Sequence, residues 1–141
     1  MEFDFSTYDS SGGLAAIVEA KRRLGTSTEW AAQFRRNILA HARIPLARFF
    51  LIVVPDRIYL WDAQTEGNAP PTEIDARAIF APYFERIGVR PERISPAAFE
   101  SRVQWWLEDL VENSPTARSS LRDTGVAEAV AGGSVRRGRA A

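Results

Sequence analysis

Six consecutive apolar residues, Phe49-Phe50-Leu51-Ile52-Val53-Val54, constrain this chain more than any other feature. The run is short for a helix and shows no polar alternation, as expected of a central strand buried on both faces. A strand of that kind calls for a sheet with cover above and below it. Pro55-Asp56-Arg57 then turns the chain into Ile58-Tyr59-Leu60-Trp61, which reads as a neighbouring strand.

The other segments fit around this pair. Residues 3–8 and 14–20 read as strands joined by the turn Asp9-Ser10-Ser11-Gly12-Gly13, together a hairpin. Leu24-Gly25-Thr26-Ser27 breaks the chain, and Ser27 or Thr28 can cap a helix running to about Ala42. Trp30, Phe34, Ile38 and His41 or Ala42 are its expected buried stripe, and Pro45 ends the region. Residues 62–71 read as a polar loop containing Gly67, and residues 75–87 as a helix interrupted at Pro82, which can start a new turn rather than break one. Ser95-Pro96 starts a helix to about Glu112, with Phe99, Val103, Trp106 and Leu110 on one face and Leu107 on its border. Trp106 is then core and Trp105 semi-exposed. Residues 119–131 predict a short helix before Gly132-Gly133, and the arginine-rich end, from about residue 132, is expected to fray. The order predicts a single α/β domain over residues 1–141, a small mixed central sheet flanked by helices.

With 141 residues and 45% apolar side chains, the chain can bury one core. No apolar run approaches the roughly 20 residues that span a bilayer, so no membrane association is expected. The start, Met1-Glu2-Phe3-Asp4, lacks the basic-then-apolar order of a signal peptide. Cysteine is absent, which removes disulfides, thiolate catalysis and cysteine-based metal sites and fits a reducing cytoplasm. His41 is the only histidine, so a His-rich zinc centre is excluded too. Any metal should therefore be a hard ion held by oxygen.

Charge is unevenly spread although the formal net charge is zero. Residues 1–20 carry four acids and no base, and residues 21–57 carry eight bases against two acids. That order suits a metal site beside a phosphate-binding surface, and equally an ordinary solvated face. Arg22, Arg23, Arg35 and Arg36 are the candidate phosphate contacts. Lys21 is the only lysine among eighteen basic residues. An amine offers what a guanidinium cannot, a compact rotatable donor able to give up its proton.

Glu19 and Lys21, two apart in a strand, share a face. If Asp9 and Leu14 close the hairpin, Asp4 falls opposite Glu19, and cross-strand partners lie roughly 5 Å apart. Two carboxylates that close repel unless a cation joins them. Mg²⁺ would take Asp4, Glu19 and the Ala20 carbonyl, with water completing its octahedron and Mn²⁺ a possible substitute. Lys21 would orient or deprotonate the attacking water, or stabilise charge on a scissile phosphate. The alternative is a solvated Glu19–Lys21 pair beside a surface Asp4.

The segment Phe3-Asp4-Phe5 … Tyr8-Asp9-Ser10-Ser11-Gly12-Gly13-Leu14 … Ile17-Val18-Glu19-Ala20-Lys21 resembles the core of the PD-(D/E)xK nuclease superfamily. Asp4 matches the first acid of that motif, Glu19 the second, and Lys21 the lysine, while Phe3 stands where the motif often has proline. The resemblance covers about residues 3–61. It implies a restriction-endonuclease-like fold, DNA as the partner, and Mg²⁺-dependent phosphodiester hydrolysis. Some branches carry a glutamine in the following helix, and Gln33 stands at a similar place, with Asn37 one turn on. A backbone-bonded structural glutamine is an equal reading of Gln33. Members usually have a helix ahead of the first strand, whereas here Asp4 follows Met1 closely, so a later helix, a homodimer or another partner is expected to cover that face. The alternative functions are an inactive nuclease-like module that binds nucleic acid or a protein, and a purely structural domain.

Overall fold

The computed structural model describes residues 3–41, 45–64 and 69–138. In chain order the elements are β1 (Phe5–Tyr8), β2 (Leu14–Ala20), α1 (Thr28–His41), β3 (Phe49–Val54), β4 (Arg57–Asp62) and β5 (Thr72–Asp75). These are followed by α2 (Arg77–Glu85), a 3₁₀ turn (Pro91–Arg93), α3 (Pro96–Val111), α4 (Pro115–Ser120), α5 (Val126–Val130) and β6 (Ser134–Arg137). The strands form one mixed sheet in the order β5-β4-β3-β2-β1-β6. Only β2 and β3 pair in parallel, and α1 is their crossover.

The apolar run is the central strand, and its two faces feed two cores. Phe49, Leu51 and Val53 join Phe80, Phe99, Trp106 and Leu110 under α2 and α3. Phe50, Ile52 and Val54 join Ile17, Ala31, Ile38 and Tyr59 under α1. Phe80 is the hub of the first core, with ring contacts to Tyr83, Phe84, Phe99 and Trp106 at 5.4–6.4 Å. Each such ring contributes about 2–3 kcal/mol by leaving water.

Local signals set the helix starts. Ser27 Oγ accepts from the Trp30 N–H at 3.1 Å, and Ser95 Oγ accepts from the Ala98 N–H at 3.1 Å with Pro96 in the first turn. On α1 the buried residues are Ala31 and Ile38, while Trp30 and Phe34 are half-buried and His41 is exposed. The expected end at Ala42 and the loop residue Gly67 lie outside the described residues. On α3 the expected stripe is buried, Leu107 with it, and Trp105 is exposed.

The structure adds one unexpected strand and corrects the helix limits and the tail; in place of the helix expected over residues 119–131 stand two short ones, α4 and α5. Residues 72–75 form an edge strand, because β-branched Thr72 and Ile74 pair with Leu60 and Ile58 and Arg57 binds the Glu73 carboxylate at 3.1 Å. Helix α2 begins two residues later than expected and runs through Pro82 without a break. The arginine-rich end does not fray before Gly138: β6 adds to the outer edge of β1, with Phe5 opposite Arg137 and Tyr8 opposite Ser134.

Candidate active site

The β1–β2 hairpin sets the first two site residues. Phe5 faces Val18, Ser6 faces Ile17 and Thr7 faces Ala16. The next step of that register brings Asp4 to Glu19. The hairpin closes differently from the expected Asp9–Leu14 pair: Tyr8 faces Leu14, a bulge absorbs the shift, and the Asp9 N–H donates to the Gly13 carbonyl at 2.8 Å. Asp9 Oδ1 accepts from the backbone of Ser11 and Gly13, which holds the turn.

Asp4 is held from both sides. Its Oδ2 accepts from the Ala20 N–H at 2.8 Å, and its carbonyl accepts from the Gly138 N–H at 2.9 Å. The second tie comes from the end of β6, so the strand missing from the sequence reading helps position the first site residue. Glu19 is only 5% exposed, and its carboxyl lies within hydrogen-bonding reach of Asp4. Burial first, then the Asp4 charge and hydrogen bond, push Glu19 up to about 8, against an opposing pull from Lys21.

Lys21 continues the parallel ladder one residue past β2, donating its N–H to the Val53 carbonyl at 2.9 Å. Its Nζ lies 5.4 Å from the centre of the Phe34 ring. Asp4, Glu19 and Lys21 open on a cleft of about 610 Å³, closed on its other side by Phe34, Asn37, Ile38 and His41 of α1. The site thus lies at the carboxyl end of a parallel strand, where open α/β sheets often bind ligands.

The remaining candidates are dispersed. Ala20 is buried and lines an adjoining cleft that shares Lys21 and Phe34 with the first. Gln33 is exposed and acts at one remove, its Nε2 donating to Asn37 Oδ1 at 3.1 Å and its Oε1 accepting from Arg36 at 2.8 Å. Arg22 is committed to the fold, donating to the carbonyls of Ile94 and Glu92. Arg23 lies over Trp30, 5.3 Å from its ring centre, and Arg35 lies against both Phe50 and Trp61. Arg23 and Arg36 are the two exposed members of the set without such backbone ties.

Asn37 and His41 enter the cleft without having been named as site residues. Their signal was in the sequence, since residues 34, 37, 38 and 41 form one helical stripe with His41 at its end. Its Nδ1 does lie 3.0 Å from the Asn37 carbonyl.

Among the described residues no cluster of three or more His, Cys, Asp or Glu side chains could hold a metal. Two carboxylates in an open cleft nevertheless suit Mg²⁺, which commonly takes one or two acids and fills its other positions with water and substrate phosphate. No helix among the described residues is long and apolar enough to cross a membrane. Comparison with family models, curated proteins and solved structures finds no match to the chain.

Proposed function

We propose that this chain hydrolyses phosphodiester bonds in DNA with the help of Mg²⁺, on a restriction-endonuclease-like scaffold. The observation that carries the reading is the pairing of Asp4 with a buried Glu19 whose proton affinity is raised, beside Lys21 in an open cleft. Such a pair is electrostatically unfavourable until a cation or a proton joins it. Asp4 and Glu19 would hold the metal, which when bound polarises phosphoryl oxygens and acidifies water. Lys21 brings an ammonium to the same cleft, where it can steady charge developing on phosphate or take a proton from water. Asn37, oriented by Gln33, can hold substrate or water by hydrogen bonds.

A second reading, an inactive module that binds DNA or a protein, draws on the Ala20 N–H. Asp4 Oδ2 is engaged there as a purely structural acid would be. Incubation with supercoiled, linear and single-stranded DNA, with and without Mg²⁺ or Mn²⁺, separates the two. Metal-dependent cleavage lost in Asp4→Asn supports the enzyme; binding without cleavage under every condition supports the module.

A further inference from the structure

Arg35, like Arg102, carries a buried guanidinium nitrogen without a hydrogen-bond partner among the described residues. Among the described residues, the Arg35 Nε is sealed from solvent with no hydrogen-bond partner and its side chain makes no ion pair. A buried donor without a protein acceptor is commonly met by water, an ion or a ligand. The guanidinium is fixed by its ring contacts, 5.6 Å from the Phe50 centre and 5.2 Å from the Trp61 centre, and those rings pack edge to face at 5.9 Å. Its neighbour Arg48 is already paired with Asp62 at 3.3 Å.

Two recesses meet at Arg35, Trp61 and Pro70. The larger has a volume of about 520 Å³ and adds Phe50, Thr72, Thr124, Asp123 and the Arg48–Asp62 pair to its walls. That size lies within the range of about 300–1,000 Å³ usual for small-molecule sites. Thr28, Ala32, Arg35 and Arg36 border the smaller recess, whereas Phe34, Asn37, Ile38 and His41 border the carboxylate cleft. At about 3.6 residues per turn these two sets occupy opposite flanks of α1. The recess is therefore separate from Asp4 and Glu19.

We infer that this recess binds a small oxyanion, a carboxylate or phosphate monoester carried on a flat apolar group, with Arg35 as the anchor. The oxyanion pairs with the guanidinium, and the flat group lies along Trp61 and Phe50. Enclosure by Thr72, Thr124 and Pro70 favours a small ligand over a duplex backbone. The inference does not depend on the nuclease reading.

The test is calorimetric titration of the full chain, free of divalent metal, with phenyl phosphate and with benzoate. At least one probe should saturate at one site, and Arg35→Met should weaken it by about tenfold or more. Tighter phenyl phosphate assigns a phosphate monoester, and tighter benzoate a carboxylate. Arg35→Met should melt no lower than wild type, because it removes a desolvated charge. Arg35→Lys, which keeps charge without the stacking plane, should also bind more weakly and covers the case in which Arg35→Met does not fold. Failure of both probes to saturate below about 10 mM overturns the inference. So does wild-type affinity in either variant.

Discussion

Glu19 takes up a proton on folding, because burial and Asp4 lift it from an ordinary 4.5 to about 8. Below the ordinary value both folded and unfolded chains hold that proton, so nothing is lost. Between the two values only the unfolded chain releases it, and stability falls by about 1.4 kcal/mol per pH unit. Above the folded value the loss is complete. Glu19→Gln has no proton to lose, and its amide can donate to Asp4 as a protonated carboxyl does. Urea unfolding should find variant and wild type close near pH 5, with the variant several kcal/mol more stable near pH 9. A gap that stays constant with pH would contradict the buried pair. The pairing itself was legible, since strand residues face one another by counting and the count survived a bulge nobody could place from the sequence. The Ala20 N–H tie to Asp4 was not legible, because it depends on where the ladder stops and the chain bends.

Strand β6 shows what an element owes to its neighbours. Ser-Val-Arg-Arg has little apolar content and reads alone as a tail, yet it pairs because the outer edge of β1 offers unmet hydrogen-bonding groups. Strand β5, four residues paired to the edge of β4, falls between the expected loop and the expected helix and carries no signal of its own. By contrast β3, α1 and α3 carried their own signals in an unbroken apolar run, capping serines and helical stripes. Gly133 makes the β6 arrangement possible, since a Cβ there would stand 1.7 Å from the Tyr8 carbonyl oxygen. Gly133→Ala should therefore detach β6 and cost about 2–4 kcal/mol. Hydrogen exchange should show faster exchange at β1 and at Gly138, whose N–H holds Asp4. Unchanged protection there would mean that β6 contributes little to the site.

Across the whole molecule, the two cores fix the sheet from both sides, and charge separates into an acidic site and scattered arginines. The four arginines close in sequence do not act as one surface. Arg22 is tied to the Ile94 and Glu92 carbonyls, and Arg35 lies against the Phe50 and Trp61 rings. If DNA crosses the carboxylate cleft, Arg23→Gln with Arg36→Gln should weaken binding similarly for all sequences and flatten its dependence on log salt by about one to two units. Arg22→Gln should mainly lower stability instead. Equal salt slopes before and after the double substitution would remove Arg23 and Arg36 from the interface. The central claim is metal-assisted cleavage by Asp4, Glu19 and Lys21, and one paired measurement reaches it: calorimetric Mg²⁺ titration and cleavage rate on a single DNA substrate. Asp4→Asn should lose metal affinity and cleavage together. Lys21→Ala should keep or strengthen Mg²⁺ binding while cleavage falls by about 10²–10³-fold. Undiminished Mg²⁺ affinity in Asp4→Asn, or wild-type cleavage in Lys21→Ala, would contradict the account.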